Sequence, residues 1–373
     1  MRIAIDVRKL HDYGIGTYVR NLVSGLARLN GDTSYVLLCR GADMDFVRQL
    51  GPRFEALRVD SGNYSLREQL TVPIALARAR VDLFHAPHYV VSPFTRCPFV
   101  VTIHDCIHLR FPEYLPNRGA HTYARAMMRS SAHRAKRVLT VSHASKEDIL
   151  HYLHVPAEKV EVIYNALDQQ LASPPTDREI SQIRERFQLT SPFILYTGNI
   201  KPHKNVERLI EAYSILRRRG HQDAKLLIIG DDISKYPNLR RLVHRFQLHK
   251  HVRFLGFVPD VTLAALYRLA SVFVFPSLYE GFGLPPLEAM AAGAPVITSN
   301  VSSLPEVVGD AALLVDPMDA GAIADAMVRV LTDEALRATL IARGYERVKA
   351  FSWDRSVRRV REVYAELGRP TGG

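Results

Sequence analysis

Val272-Phe273-Val274-Phe275, followed by Pro276-Ser277-Leu278-Tyr279 and then Glu280-Gly281-Phe282-Gly283-Leu284-Pro285-Pro286-Leu287-Glu288, is the stretch on which the fold turns. The four apolar residues read as a buried strand, and the glycines and prolines after them as a turn into a helix. Pro285 and Pro286 suit a first helical turn, where a missing N–H costs little. The N–H groups of Phe282, Gly283 and Leu284 can then point at an anion, helped by the helix dipole, so the turn reads as a diphosphate seat. Glu280 precedes the turn, where a carboxylate can accept hydrogen bonds from sugar hydroxyls. Glu288 lies about one helical turn inside, placed to take both hydroxyls of a ribose. A helix start carrying two surface acids is the plainer alternative.

Working outward, the same alternation of short apolar strands and helical segments runs through the chain. Ile3–Val7, Tyr35–Cys39, Ala56–Val59, Leu83–His85, Phe99–His104, Val138–Ser142 and Val160–Tyr164 read as strands of a first half. Ser173-Pro174-Pro175-Thr176-Asp177 reads as a linker and helix start, with Thr or Asp as the N-cap. The pattern restarts with Phe193–Thr197, Lys225–Gly230, Val252–Gly256, Val272–Phe275, Pro295–Thr298 and Ala312–Val315. Such alternation predicts an α/β chain of two Rossmann-like parallel-sheet domains, their loops facing each other across a cleft. We expect domains at 1–170 and 171–350, and a C-terminal helix within 351–373 that packs back on the first.

Three further motifs sit at strand ends. Gly198-Asn199-Ile200-Lys201-Pro202-His203-Lys204-Asn205 enters a helix, and a lysine there can reach phosphate oxygens. It would stabilise the charge growing on a departing diphosphate. Gly14-Ile15-Gly16-Thr17 opens a helix expected over about Thr17–Leu29. Val19 stands where a dinucleotide fingerprint wants a third glycine, which argues against NAD, and a simple turn is the alternative. Thr102-Ile103-His104-Asp105 places a histidine at the end of a buried strand, with Asp105 able to orient its ring. His85 and His88 follow another strand end and are candidates for an acceptor pocket. Asp231-Asp232 supplies too few ligands for a closed metal site.

These motifs together resemble the retaining glycosyltransferases of family 4, which have the GT-B fold. The E-x7-E spacing of Glu280 and Glu288 carries most of that likeness. The Gly-x-Gly loop, His104-Asp105, Thr197-Gly198 through Lys204-Asn205, Gly256-Phe257-Val258 and Phe351-Ser352-Trp353 extend it along the chain. Residues 83–168 most resemble bacterial enzymes that use GDP-mannose in surface-polysaccharide synthesis. The resemblance implies a hexosyltransferase, with GDP-mannose the favoured donor and a glycan or lipid-linked acceptor. It implies catalytic roles for His104, Glu280 and Lys204. It also implies a leaving group neutralised by cations and backbone N–H groups, so no metal and no cofactor is expected. Donor contacts would come from Gly14, Gly16, Asn199, Lys204, Val258, Glu280, Gly281, Phe282, Gly283, Leu284 and Glu288, and acceptor-side contacts from His85, His88 and Asp105. The family usually has arginine where Asn199 stands, and Lys201 and His203 are the alternatives for that second cation. A nucleotide-sugar epimerase of similar fold is the alternative enzyme.

Composition sets the surroundings. The 373 residues are 47% hydrophobic and 23% charged, with a formal net charge of +11. A nucleic-acid partner is not expected, because no nucleic-acid-reading motif accompanies the charge. Without an apolar run of membrane-spanning length or a secretory leader, the expected place is the cytoplasm, on the inner face of the membrane. Up to Asp168 there are 22 Lys and Arg against 16 Asp and Glu. Segment Arg110–Arg137, with seven cations against Glu113, accounts for that whole excess. At about 100° per residue Arg118, Arg125, Arg129 and Lys136 form one helical stripe, an expected contact for an anionic membrane surface. Ala120, Tyr123, Ala124 and Met127 would form the packed face.

Overall fold

The computed structural model describes residues 1–62, 64–168 and 175–368. Two parallel sheets organise them. The first holds β1 (Arg2–Asp6), β2 (Ser34–Cys39), β3 (Phe54–Arg58), β4 (Leu83–Ala86), β5 (Phe99–Thr102), β6 (Arg137–Thr140) and β7 (Val160–Val162), in the order β3-β2-β1-β4-β5-β6-β7. The second holds β8 (Phe193–Thr197), β9 (Lys225–Ile229), β10 (Val252–Gly256), β11 (Val272–Phe275), β12 (Val296–Ser299) and β13 (Ala312–Val315), in the order β10-β9-β8-β11-β12-β13. Every pairing is parallel. Strands β5, β8 and β11 are buried at every residue. Helices cover both faces of such sheets, so their strands are continuous apolar runs rather than alternating ones.

Strand order reverses between β1 and β4, and again between β8 and β11. Loops leaving the carboxyl ends on either side of such a switch point diverge and leave a crevice. The compact units are Met1–Asn165 with the segment from Ser352, and Ala166–Phe351. Thr176 caps the helix Asp177–Arg186 through a capping box with Glu179. Ser173 and Pro174 of the expected linker lie outside the described residues.

The last helix, Trp353–Gly368, belongs to the first unit because its apolar stripe is buried there. Val357 packs on Gly25, where a Cβ would come within 2.6 Å of a valine methyl. The Ser356 hydroxyl donates to the Tyr164 carbonyl at 2.6 Å, and the Tyr364 hydroxyl meets the His85 ring.

Two helices differ from expectation. The first runs Tyr13–Arg28, so Gly14 and Gly16 lie in its opening turn rather than in a loop. A Cβ on Gly16 would sit 2.4 Å from the Leu10 carbonyl oxygen, which reserves that position for glycine, whereas Gly14 faces open space. The basic helix is Arg118–Arg134, capped by the Asn117 side chain. Lys136 lies beyond its end and is not part of a helical stripe. The packed face is Ala124, Met128, Ser131 and Ala132, while Tyr123 is exposed. The buried arc is thus turned from the expected one, because β5 and the neighbouring helices cover a face centred near Met128. Arg118, Arg125 and Arg129 are exposed.

Candidate functional site

At the second sheet's switch point, β8 leads into Gly198–Asn205 and β11 into Pro276–Gly283. The Lys204 ammonium lies 2.6 and 2.8 Å from the two carboxylate oxygens of Glu280. Their side chains keep 15% and 12% of their exposure, so the pair is largely but not wholly withdrawn from water. The ring of Phe275, the last residue of β11, lies 5.4 Å from the ammonium. Asn205, left-handed at φ 58°, donates from its side chain to the carbonyls of Pro276 (3.0 Å) and Pro317 (2.7 Å), which ties the lysine loop to the end of β11.

Three serines fix Glu280. The Ser277 hydroxyl donates to Oε1 at 2.7 Å. The hydroxyls of Ser302 and Ser303 donate to the Glu280 carbonyl at 2.7 and 2.9 Å, and Ser302 accepts from its N–H. Both carboxylate oxygens and both backbone groups are therefore held.

Gly283, with φ 114°, turns the chain into the helix Leu284–Ala291. A Cβ there would come within 2.8 Å of Leu304, so backbone conformation and packing both demand glycine. Phe282 is buried edge-on against Phe351. The N–H groups of Gly283 and Leu284 make no hydrogen bond among the described residues. Glu288 follows one turn later. Its Oε2 accepts from the Tyr267 hydroxyl at 2.9 Å, and Tyr267 in turn lies 2.6 Å from the Thr197 hydroxyl at the end of β8. Tyr267 has one proton and gives it to the carboxylate, so Thr197 donates to Tyr267. Burial pushes the Glu288 carboxyl up to about 7, with Asp168 and Asp260 adding to the rise and Tyr267 opposing it.

Asn199 contributes a buried side-chain oxygen that has no hydrogen-bond partner among the described residues. Lys201 is exposed and His203 is buried. Val258 is buried after Gly256, whose carbonyl accepts from Gly230 N–H at 3.1 Å. Asp231 and Asp232 part company: Asp231 accepts from Ile200 N–H and the Tyr236 hydroxyl, and Asp232 from Ser234. Among the described residues no group of three or more His, Cys, Asp or Glu is placed to hold a metal ion.

The first unit treats its three candidate histidines differently. His104 donates from Nε2 to the Pro87 carbonyl at 3.0 Å and stands edge-on to Tyr18. Burial holds its imidazole below the usual histidine range, against the opposing pull of that carbonyl and of Asp105. The neutral ring therefore presents Nδ1 as an acceptor. Asp105 does not orient it, because its Oδ1 accepts from Ile107 N–H at 3.0 Å and closes the next turn. His85 is no acceptor-pocket residue: it is fully buried, with one nitrogen on the Thr102 hydroxyl and the other on Tyr364. Burial pulls its imidazole down to about 3. His88 is half-buried at the crevice, its Nε2 3.1 Å from the Tyr64 hydroxyl. Tyr267, Ser302 and Ser303 lie outside the motifs, and only the fold brings them to the two acidic residues; Thr197 and Ser277 lie within quoted segments, but nothing local marks their hydroxyls as partners.

Known proteins match this chain along its length. The family model described as "Glycosyltransferase Family 4" matches residues 13–171, and "Glycosyl transferases group 1" matches residues 177–347. The O-antigen chain mannosyltransferase B of Escherichia coli is 36% identical over 291 residues, 76% of this chain and 74% of that protein. The serotype-specific mannosyltransferase WbdA of Escherichia coli is 34% identical over 83% of this chain, which spans 40% of WbdA. Sucrose-phosphate synthase from Thermosynechococcus elongatus superimposes with a TM-score of 0.80 at 25% identity, over 98% of this chain and 99% of that one. Anabaena HepE, solved in complex with UDP-glucose, gives 0.79 at 20% identity, over 98% and 100%.

Proposed function

The chain belongs to glycosyltransferase family 4, and from that premise we propose that it moves mannose from GDP-mannose to a hydroxyl of a glycan or lipid-linked acceptor, with retention of anomeric configuration. The observation that carries this reading is the Lys204–Glu280 pair at the switch point, beside the Gly283 turn and Glu288. The relatives named as mannosyltransferases support mannose, and the HepE complex supports a nucleotide-sugar donor.

In this reading the diphosphate takes over Lys204 and the N–H groups of Gly283 and Leu284, and Glu280 is freed to accept sugar hydroxyls. Glu288 accepts from the ribose. Neutral His104 accepts a hydroxyl hydrogen bond from the transferred sugar through Nδ1. The bond from the anomeric carbon to the diphosphate breaks as the acceptor oxygen bonds on the same face, and the acceptor proton leaves with the phosphate oxygen. Lys204 and the turn stabilise the growing charge, as fixed donors do in a site sheltered from water.

Calorimetry with GDP, UDP and ADP, followed by NMR assignment of the product anomer, tests the reading. GDP should bind most tightly and the product should keep the donor's configuration. Inversion, or solvent isotope entering the sugar with no acceptor present, would overturn it.

The exposed Arg118, Arg125 and Arg129 favour an acceptor held at an anionic membrane surface. Among the described residues no helix is long and apolar enough to cross a membrane. Each cation near an anionic leaflet contributes about 1 kcal/mol, so attachment would be reversible and salt-sensitive. Charge reversal of the three should abolish sedimentation with anionic vesicles and leave GDP affinity intact; unchanged sedimentation would sink this part.

A further inference from the structure

The second sheet has a cavity at its other end, where β8, β9 and β10 begin. Its volume is about 270 Å³, and the segment Gln188–Ser191 forms one wall. That volume approaches the range of small-molecule sites. The length of β8, roughly 13 Å at ~3.3 Å per step, separates it from the Lys204–Glu280 pair. We infer that this cavity binds a phosphomonoester, the phosphate group of a soluble metabolite or of a lipid headgroup, as a second anion site remote from Lys204. The site goes beyond the glycosyltransferase reading and does not depend on it.

The first support is the register of the strands. Phe193 pairs with Lys225, and Leu227 with Arg253, so all four side chains leave the same face of the sheet. Phe193 and Leu227 are buried and make an apolar floor, with the two cations beside them. Lys250, just before β10, brings a third cation to the lining. Lys225 is half-buried, while Lys250 and Arg253 are exposed and within a ligand's reach. Thr190 and Ser191 line the same space and bring hydroxyls that can donate to phosphate oxygens.

The second support is charge. Residues 233–259 hold six Lys and Arg and no Asp or Glu. Elsewhere in this unit Arg208, Arg219, Arg343 and Lys349 each meet a carboxylate. Among the described residues Lys225, Lys250 and Arg253 meet none. The Lys225 ammonium lies 3.4 Å from the His251 ring, and Arg253 donates from Nη1 to the Phe187 carbonyl. Burial, with Arg217, Lys225, His249 and Lys250 nearby, holds His251 below the usual histidine range, so its ring adds no charge of its own. Like charges gathered in a recess raise one another's energy, and the low-dielectric walls focus their potential on whatever enters. Covering the end of the helix Asp177–Arg186 is the plainer task of Arg253, but it occupies only part of the guanidinium fork. The rest of the fork and two ammonium groups suit phosphate oxygens. A phosphomonoester brings about two negative charges to these three cations, where a carboxylate brings one.

The experiment is a titration of the full chain with inorganic phosphate, read by phosphorus NMR line broadening, in a Lys204→Ala background that removes the donor-side cation. Thermal melting verifies the fold of each variant. We expect broadening in Lys204→Ala, and binding weakened by about tenfold or more when Lys225→Gln and Lys250→Gln are added, as losing charged hydrogen bonds does. Arg253→Lys, added alone to Lys204→Ala, should fall between, because it keeps the charge and loses the fork. Broadening that survives the loss of both lysines, or that is absent from Lys204→Ala, overturns the inference. Sedimentation with phosphatidic acid vesicles, against phosphatidylcholine vesicles, separates the two sources of the phosphate. Dependence on Lys225 and Lys250 identifies a lipid headgroup, and independence a soluble ester. If GDP fails to bind the native chain while phosphate still depends on the two lysines, this site stands and the donor reading falls. If GDP binds and phosphate ignores the lysines, the reverse holds.

Discussion

At the carboxyl ends of β8 and β11, Lys204 meets Glu280 with 15% and 12% of their side chains exposed. At the ends of β1 and β4, Arg8 meets Asp6 and Glu68 with 3% of its own side chain exposed. The two units share strand order and place ions at the same topological point, yet the ions are built for different work. The Lys204–Glu280 pair borders a turn with unengaged N–H groups, so an arriving anion can replace one partner without leaving the other stranded. The Arg8 cluster is enclosed, each group answering another, and its product is a fixed Tyr64, whose N–H donates to Glu68, rather than a free charge. A pair at the edge of solvent can be rearranged by a ligand, whereas a buried triad can only hold something in place.

That contrast can be broken most directly at Arg8. Arg8→Met strands the buried Glu68 carboxylate and the part-buried Asp6 beside it, and removing one partner of a buried ion cluster costs about 3–5 kcal/mol. Urea unfolding should register a loss of that size, with nucleoside-diphosphate affinity of the folded protein unaltered. A loss under about 1 kcal/mol would show that the triad is not structural.

Lys204 should behave the opposite way. Lys204→Ala should lower kcat by roughly 100- to 1000-fold, as loss of a charge-stabilising donor does, with little change in melting temperature. It should also weaken GDP binding by about 1.5–3 kcal/mol. Glu280→Gln sharpens the comparison: turnover should collapse, but bare GDP should bind as tightly or more tightly, because Lys204 loses its competitor. Equal loss of GDP affinity in both variants would refute the exchange of partners.

Glu288 gives a subtler test through pH. Its folded carboxyl lies near 7 against an ordinary 4.5. Such a raised acid favours the folded state below about pH 4.5, and that contribution is lost as pH rises through about 7. Glu288→Gln should therefore be more stable than the native chain at pH 8, by about 3 kcal/mol at most, with the difference shrinking toward pH 4.5. Donor binding should strengthen from pH 6 to 8 in the native chain and be flat in Glu288→Gln. Tyr267→Phe is the smallest effect, raising donor KM by about 1 kcal/mol while kcat holds. A kcat loss matching that of Lys204→Ala would assign Tyr267 to chemistry instead.

Much of this molecule is readable without coordinates. The strands of both sheets announce themselves because a parallel strand covered on both faces must be apolar throughout, and Val272–Phe275 is the plainest case. The turn Glu280–Leu284 is legible for a local reason as well, since a positive φ and a crowded Cβ leave only glycine at Gly283. Thr176 and Glu179 mark their helix start by the same kind of short-range rule.

Local rules stop at contacts between distant segments. His85, His88 and His104 all lie at or just beyond strand ends and look alike in sequence. Tyr364, 279 positions from His85, turns that histidine into core, while Pro87 and Tyr64 hold the other two at the crevice. Lys204 and Glu280 are 76 positions apart, and Tyr267 reaches Glu288 because its helix, Asp260–Leu269, packs against the helix Leu284–Ala291 that carries the acid. The Gly-x-Gly segment lies in the first turn of a helix, where the Leu10 carbonyl against Gly16 leaves no room for a Cβ, and the basic stripe lost Lys136 because its helix ends at Arg134. Periodicity and turn chemistry are properties of neighbouring residues, so the sequence by itself determined the sheets, the turns and the identity of the acidic pair. Which side chains are clamped, which are satisfied and which remain open to a ligand depended on packing across the crossovers, and only the tertiary structure decided that.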